Sequence, residues 1–248
     1  MSRPRGAAAA LEHTVPVDSV PAAFAALVAE AFAQRPGERF CMLASGGPLA
    51  ARCYDACAAA PGALDWSLVD LYLGDERMVP ADDPDANQRL VREHLIEAVG
   101  GVGSFSPMPT DGDPDGCAAA YQGIMARLLA GPGIDLIHLG VGPDGHTASL
   151  FPGAASLHAA DDQLVLATDD PNGANPHPRL TITLPVIARA RLVAFTVSGA
   201  EKEQAVARVR GGEDVPAARV GAQDVRWIVD AAAFGTGVGG AGGGTEDQ

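Results

Sequence analysis

The chain has 248 residues, of which 47% are hydrophobic and only 5% aromatic, so it can bury one α/β core built mainly of Ala, Val and Leu. Its formal net charge of −14 argues against nucleic acid or an anionic membrane as a partner. No stretch approaches the ~18 consecutive apolar residues that a transmembrane helix needs, and the N-terminal run is too short and too weakly hydrophobic for a secretory signal. These features predict a cytoplasmic location.

The cysteine and histidine patterns favour neither a metal centre nor a redox centre. The four cysteines contain no C-x-x-C pair, and the six histidines contain no H-x-x-x-H pair. We interpret the cysteines as small apolar residues in a reducing compartment. No metal or cofactor is expected.

Residues 1–16 and the Gly-rich tail 235–248 are low in complexity, and the sequence predicts mobile segments there on either side of a single domain at 17–234. Strands are predicted at 39–45, 67–73, 134–141, 163–168, 179–184, 191–198 and 225–230. Helices are predicted at 18–34, from the first strand to 60, and at 84–99, 114–129 and 200–210. Asp82 or Asp83 is expected near the N-cap of helix 84–99.

Continuous apolar strands that are separated by helices are typical of one fold class. They predict an α/β domain with a mostly parallel, doubly wound sheet and helices on both faces.

Polar residues recur at four predicted strand ends, in the turns 45–47, 74–77, 142–147 and 198–202. Any α/β protein needs Gly and Ser in such turns, but it does not need the Asp, Glu, Arg, His and Lys that also occur in them. Because all carboxyl ends of a parallel sheet lie at one edge, we expect the four turns to converge on one ligand site.

Two of these turns suit an anionic ligand. Ser45-Gly46-Gly47 leads into a helix, where backbone N–H groups and the helix dipole favour negative charge. Lys202 is the only lysine of the chain, and a compact ammonium is a good partner for a phosphate.

Three segments resemble the motifs of the 6-phosphogluconolactonase family. They are GDERMVPADDPDAN (74–87), LGVGPDGHTASLFPG (139–153) and HPRLTITLPVIARARLVAFTVSGAEK (177–202), and the likeness spans roughly residues 20–230. The resemblance implies a single α/β domain that hydrolyses 6-phosphogluconolactone, a small sugar-phosphate lactone, in the pentose phosphate pathway. A monomer or small homo-oligomer is expected.

For this activity His146 would be the general base that deprotonates water, and Asp75 or Asp144 would orient its imidazole. Backbone N–H groups in the turn that holds Gly142, Gly145 and Thr147 would stabilise the oxyanion. Substrate and phosphate would be bound by Ser45, Gly46, Gly47, Arg77, Asn87, Arg179 and Lys202. Arg77 would reach either the phosphate or the sugar, and Glu76 is open to a structural role beside it.

Two alternatives stay open. The related glucosamine-6-phosphate deaminases carry a Glu five residues after the motif histidine, where this chain has Phe151, so a deaminase is disfavoured. A non-catalytic sugar-phosphate sensor is disfavoured because the chain leaves no room for a DNA-binding module. The sequence also departs from the lactonase pattern at Pro48-Leu49-Ala50, where the family often has Ser or Thr, and at Ala86, where Ser is usual.

Overall fold

The computed structural model describes residues 5–12, 14, 16–60 and 62–235. Its strands are β1 (Arg5–Gly6), β2 (Phe40–Ala44), β3 (Val69–Leu73), β4 (Asp75–Arg77), β5 (Ser104–Ser106), β6 (Leu136–Leu139), β7 (Val165–Thr168), β8 (Arg179–Ile182), β9 (Leu192–Val197), β10 (Gly221–Ala222) and β11 (Asp224–Val229). Its α-helices are α1 (Ala7–Glu12), α2 (Val20–Ala33), α3 (Pro48–Ala58), α4 (Asn87–Val91), α5 (Pro114–Ala130), α6 (Leu184–Ile187), α7 (Glu203–Arg210) and α8 (Ala231–Phe234). A π-helical turn spans Arg92–Ile96, and 3-10 turns span Trp66–Leu68, Ala155–His158, Ala200–Lys202 and Pro216–Arg219.

The main sheet is parallel. Among the described residues, six strands form it in the order β11-β9-β6-β2-β3-β5. Every residue of β2, β6 and β9 is buried, as expected for strands that are covered on both faces. The prediction of a mostly parallel, doubly wound α/β domain is confirmed.

The strand order reverses beside β2. After β2 the chain adds β3 and β5 on one side, and then β6, β9 and β11 on the other side. The connections that leave β2 and β6 therefore run in opposite directions, and a crevice opens between them at the carboxyl edge. Ser45-Gly46-Gly47 follows β2, and the turn 142–147 follows β6. Two of the predicted polar turns thus lie where open α/β sheets bind ligands.

The runs 163–168 and 179–184 form strands, but they lie outside the parallel sheet. β7 and β8 pair antiparallel, and β8 also pairs with β4, which gives a separate sheet of order β4-β8-β7. An apolar run does not specify its partner, because pairing depends on register and connections. This small sheet places Arg179 of β8 directly opposite Arg77 of β4.

The helix predicted at 84–99 starts later than expected and changes its winding. α4 begins at Asn87, and after one turn the chain continues as the π-helical turn. Neither Asp82 nor Asp83 caps the helix, because the N-cap position is Ala86 and no side-chain cap bond forms there. The backbone N–H groups of Asn87 and Gln88 at the start of this helix donate instead to the carboxylate of Glu76, which is described with the site below.

Part of the segment predicted to be mobile at 1–16 is ordered. β1 pairs with β10, and α1 buries Ala7 and Leu11 completely. The indole N–H of Trp227 in β11 donates to the carbonyl of Ala7 at 2.9 Å. Residues 5–12 therefore pack on the domain, the predicted tail lies beyond the described residues from position 236 onward, and the mobility of the two ends stays a prediction.

Candidate active site

A cavity of about 230 Å³ opens in the crevice between the connections that leave β2 and β6. Most of the residues expected from the sequence line it, namely Ser45, Gly46, Gly47, Asp75, Arg77, Asn87, Gly142, His146, Arg179 and Lys202. The other lining residues were not expected from the sequence, and they are Gly140, Val141, Pro143, Ala148 and Asn175. Asp144, Gly145 and Thr147 do not line the cavity.

A second cavity, of about 370 Å³, adjoins the first and shares Ser45, Gly46, Gly47 and Lys202 with it. Arg52 of α3 and Glu201 also line this second cavity. Arg52 was not predicted as a site residue. Its position one turn into the helix that follows Gly46-Gly47 could have indicated that its side chain lies near the site. These four shared residues therefore face both cavities, and the second cavity adds one positive and one negative side chain to the site.

His146 is held by Asp144 and not by Asp75. Its Nδ1 lies 2.6 Å from Asp144 Oδ1, and its backbone N–H donates to the same oxygen at 3.1 Å. Burial tends to raise the pKa of Asp144, but the bonds from His146 outweigh it and hold the pKa below its usual range. The carboxylate therefore stays ionised and fixes the proton on Nδ1. Nε2, the nitrogen that can accept a proton, keeps no protein partner in the described part of the chain.

Close packing fixes the orientation of the imidazole. A Cβ at Gly142 would lie 2.1 Å from the His146 ring, so only glycine lets the ring approach the turn this closely. Phe151, which is 1% exposed, packs on the other side with its ring centroid 5.0 Å from that of His146. Ala148 lies next to this ring pair in the left-handed region, with a φ of 47°. Backbone strain of this kind is found mostly at functional sites.

Asp75 organises the opposite wall of the cavity. It is 6% exposed, and its Oδ2 accepts a 2.6 Å bond from the hydroxyl of Ser149. The side-chain amide of Asn87 donates to the carbonyl of Asp75 at 2.9 Å. Asn87 in turn packs against Gly46, where a Cβ would lie 1.8 Å from Asn87 Oδ1. Asp75, Asn87 and the turn after β2 therefore hold one another in place.

Glu76 is structural. It is fully buried, and its carboxylate accepts the backbone N–H groups of Asn87 and Gln88 at 2.7 Å each and that of Arg77 at 2.8 Å. Glu76 thus supplies the missing cap of α4 from a strand 11 residues earlier in the chain. Burial raises its pKa to about 7, although the three amides act in the opposite direction.

Two arginines with like charge face each other in the cavity. Arg77 and Arg179 are cross-strand neighbours, an arrangement that destabilises a sheet unless an anion lies between the charges. Arg77 donates to the carbonyl of Asp85, and Arg179 donates to Asn175 Oδ1 at 3.3 Å. The Nε atoms of both arginines are buried without a hydrogen-bond partner. Burial lowers the pKa of Arg179, with a contribution from Arg77, while the charge of Asp75 opposes that shift.

Lys202 supplies a third cation. Its Nζ donates to the carbonyl of Val141 at 2.9 Å, so one of its three N–H groups is used and two are available to a ligand. Both cavities include Lys202 in their walls. A chain with a net charge of −14 therefore concentrates three cations at this point, which is the arrangement that an anionic ligand requires.

Two backbone amides of the turn after β6 already have partners within the turn. The N–H of Gly142 donates to the carbonyl of His146 at 2.9 Å, and the N–H of Gly145 donates to the carbonyl of Gly142 at 3.0 Å. The hydroxyl of Thr147 donates to the carbonyl of Gly140 at 2.8 Å. The two glycine amides and this hydroxyl stabilise the turn itself, which disfavours Gly142 and Gly145 as oxyanion donors, and the oxyanion role expected for this turn stays a prediction.

A larger cavity, of about 530 Å³, lies at the opposite, amino edge of the sheet. Its cations already have partners, because Arg191 pairs with Asp135 at 2.8 Å and Arg226 pairs with Asp224 at 2.8 Å. With Glu30 also in its wall, this cavity has more acidic than basic side chains, whereas the cations outnumber the acids at the carboxyl edge. The carboxyl edge is therefore the better site for a charged ligand.

The described residues contain neither a metal-ligand cluster nor a membrane-spanning helix. No group of three or more His, Cys, Asp or Glu side chains in these parts of the chain is arranged to hold a metal ion. No helix in the same parts is long and apolar enough to cross a membrane.

The fold and the site together define an α/β protein with a cationic cleft for a small anionic ligand and an oriented histidine beside it. A family model described as glucosamine-6-phosphate isomerases/6-phosphogluconolactonase matches residues 14–229. The chain belongs to this family.

Relatives named 6-phosphogluconolactonase are similar to the chain over most of its length. The protein from Synechocystis is 40% identical over 179 residues, which cover 69% of this chain and 72% of the relative. The protein from Mycobacterium tuberculosis is 39% identical over 181 residues, which cover 67% and 72% of the two chains.

Solved structures show the same architecture. The 6-phosphogluconolactonase from Thermotoga maritima superposes with a TM-score of 0.75 at 25% identity, over 87% of this chain and 97% of the other. A monomeric glucosamine-6-phosphate deaminase has a TM-score of 0.72 at 16% identity, which shows the shared fold alone.

Proposed function

We propose that this protein hydrolyses 6-phospho-D-glucono-1,5-lactone to 6-phospho-D-gluconate in the oxidative pentose phosphate pathway. The observation that carries the proposal is the oriented His146–Asp144 pair beside a cluster of three cations in one cavity. The lactonase names of relatives that are about 40% identical support the same activity.

The phosphate lies between Ser45-Gly46-Gly47 and the cations of Arg179 and Lys202. This assignment places the negative charge where the turn leads into α3 and where the buried Nε of Arg179 gains a partner. Arg77 stands opposite Arg179 and contacts the phosphate or the sugar.

His146 acts as the general base. A δ-lactone is an activated ester, so attack by water needs a base and a stabilised carbonyl oxygen rather than a covalent nucleophile. Nε2 takes the proton from water as the water oxygen bonds to the lactone carbonyl carbon, and Asp144 stabilises the imidazolium that forms. The bond from that carbon to the ring oxygen then breaks, and the imidazolium returns its proton to the ring oxygen as it leaves. With Gly142 and Gly145 engaged in the turn, the guanidinium of Arg77 is the donor best suited to the developing oxyanion where it contacts the sugar rather than the phosphate.

The deaminase alternative is disfavoured at one position. The side chain of Phe151 is buried against His146, in the place where deaminases carry the Glu that works with their histidine. An apolar ring there cannot transfer a proton. The purified protein should therefore release no ammonia from glucosamine 6-phosphate, and release at a rate comparable with lactone hydrolysis would overturn the assignment.

The experiment that tests the function compares 6-phosphogluconolactone with unphosphorylated gluconolactone, each corrected for spontaneous opening, in wild type and in Lys202→Met. A charge-assisted bond is worth ~1.5–3 kcal/mol, so kcat/KM for the phosphorylated lactone should fall about tenfold to a few hundredfold. The ratio of the two kcat/KM values should fall with it. An equal loss on both substrates would place Lys202 in the chemistry or the fold, and no loss would remove it from the site.

We also propose a cytoplasmic monomer or small homo-oligomer that binds neither nucleic acid nor membrane. The support is the net charge of −14 and the burial of all four cysteines as free thiols. Size-exclusion chromatography with light scattering tests the oligomeric state.

A further inference from the structure

A chain of buried polar groups lies behind the turn 45–47. The hydroxyl of Tyr54 on α3 lies 3.0 Å from His138 Nδ1 on β6, and His138 Nε2 lies 2.8 Å from Thr196 Oγ1 on β9. Tyr54 is fully buried, and His138 and Thr196 are 1% and 3% exposed. His138 and Thr196 lie in the wall of the second cavity, and Tyr54 lines neither cavity; none of the three has a role in the chemistry of the hydrolysis described above.

At the Tyr54 end of this hydrogen-bonded chain, the hydroxyl of Tyr54 bonds both backbone polar groups of Ser45. The N–H of Ser45 donates to the Tyr54 hydroxyl at 2.8 Å, and the hydroxyl donates to the carbonyl of Ser45 at 3.0 Å. Ser45 lies just past the end of β2 at Ala44, so no strand neighbour fixes it. One side-chain oxygen therefore takes the place of a sheet partner for this residue.

The hydrogen-bond roles of His138 follow from the hydrogen count and from its burial. Because the single proton of Tyr54 goes to the carbonyl of Ser45, Nδ1 must carry a proton and donate to the phenol oxygen. Burial lowers the pKa of His138 to about 3, so the ring is neutral at physiological pH. Nε2 therefore carries no proton and accepts from the hydroxyl of Thr196. The ring of Phe24 packs against it with the two centroids 4.1 Å apart and the ring planes tilted by 31°.

We propose that Tyr54 is a positioning residue, held by His138 and Thr196, which sets the turn 45–47 for binding the phosphate group of the substrate. The proposal rests on the proposed function. Ser45, Gly46 and Gly47 line both connected cavities, and Asn87 packs on Gly46, so a shift of the turn alters the phosphate site first. Misplacement of a binding group by about 1 Å can cost ~10²-fold in rate.

Tyr121 provides a matched control. It is a fully buried tyrosine on α5, and its hydroxyl accepts the N–H of Leu73 at 2.9 Å and donates to the carbonyl of Leu73 at 3.2 Å. It holds the end of β3, which leads into Asp75 and not into the turn 45–47. Removing this hydroxyl should cost comparable stability without acting selectively on the phosphate.

The test compares Tyr54→Phe with Tyr121→Phe in two assays. In the first assay, kcat and KM are measured for phosphorylated and unphosphorylated gluconolactone, corrected for spontaneous opening. Tyr54→Phe should raise KM for the phosphorylated lactone about tenfold and lower the ratio of the two kcat/KM values by a similar factor. Tyr121→Phe should leave the ratio within about twofold of wild type. An unchanged ratio in folded Tyr54→Phe would overturn the proposal.

The second assay measures the binding of inorganic phosphate by calorimetry, and it does not depend on the reaction. Phosphate affinity should fall about tenfold in Tyr54→Phe and little in Tyr121→Phe. Equal losses in the two variants, or no loss in either, would contradict a positioning role even if the lactonase assay succeeds. If wild type binds phosphate but hydrolyses no lactone, the proposed function fails and the positioning role is still tested.

Should Tyr54→Phe fail to fold, Thr196→Val tests the same chain of bonds from its other end. Valine keeps the shape of threonine but cannot donate to His138 Nε2, which then lacks its partner. A smaller loss of phosphate affinity in the same direction is expected, about threefold. Unchanged phosphate affinity in this variant would contradict the proposal that His138 and Thr196 hold Tyr54 in position.

Discussion

Replacing Asp144 by Asn tests how the general base is oriented. The substitution keeps the size of the side chain but removes the negative charge that lies 2.6 Å from His146 Nδ1. The amide can still accept one bond, but it cannot stabilise the imidazolium that forms when water loses its proton. The expected loss is therefore in kcat rather than in KM.

The magnitude follows from the contact and its exposure. A hydrogen bond to a charged group is worth ~1.5–3 kcal/mol, and the side chains of His146 and Asp144 are 22% and 35% exposed, so solvent screens the pair in part. The lower end of that range applies. Because ~1.4 kcal/mol is tenfold in rate, kcat should fall about 10- to 30-fold.

Asp55→Asn is the matched control, since Asp55 Oδ1 makes a 2.8 Å contact with His94 Nδ1 outside both cavities. Wild-type kcat in folded Asp144→Asn, or equal losses in the two variants, would refute the assignment of Asp144.

Two further predictions concern the walls of the site. Gly46→Ala should lower kcat/KM about 100-fold, since the new Cβ would lie 1.8 Å from Asn87 Oδ1 and must displace that side chain. Gly37→Ala is the control and should leave kcat/KM unchanged, because the nearest atom to its new Cβ is 3.9 Å away. Glu76→Gln should flatten the pH dependence of stability. Burial raises the Glu76 pKa from 4.5 to about 7, so the folded protein holds a proton that the unfolded chain has released, and this stabilisation is complete below pH 4.5 and lost as pH rises through 7. Chemical unfolding from pH 5 to 8 should show wild type losing up to ~3 kcal/mol more than the variant, and identical slopes would contradict the argument.

The carboxyl-edge site could be predicted from the sequence because parallel strands share one edge. The turns 45–47 and 142–147 follow apolar runs, and the reversal of strand order beside β2 brings them together. The choice between Asp75 and Asp144 could not be predicted. Both lie in polar turns, and only the distances show that Asp144 bonds His146 while Asp75 accepts from Ser149.

Other features depend on contacts between distant parts of the chain. β8 looks like another strand of the parallel sheet, but its register with β4 is what opposes Arg77 and Arg179. The start of α4 is set by Glu76, a residue of another strand, so the local pattern placed the helix too early. Tyr54 reads as an ordinary helix residue until the structure places its hydroxyl on Ser45.

The most direct test of the general-base assignment is the kcat of His146→Ala on 6-phosphogluconolactone at neutral pH, corrected for spontaneous opening of the lactone. Circular dichroism and thermal unfolding would establish that the variant is folded. Removal of a general base costs about 10²–10⁴ in rate, so kcat should fall at least 100-fold while the affinity for inorganic phosphate stays near that of wild type. A folded variant with wild-type turnover would contradict the role of His146 and, with it, the proposed chemistry.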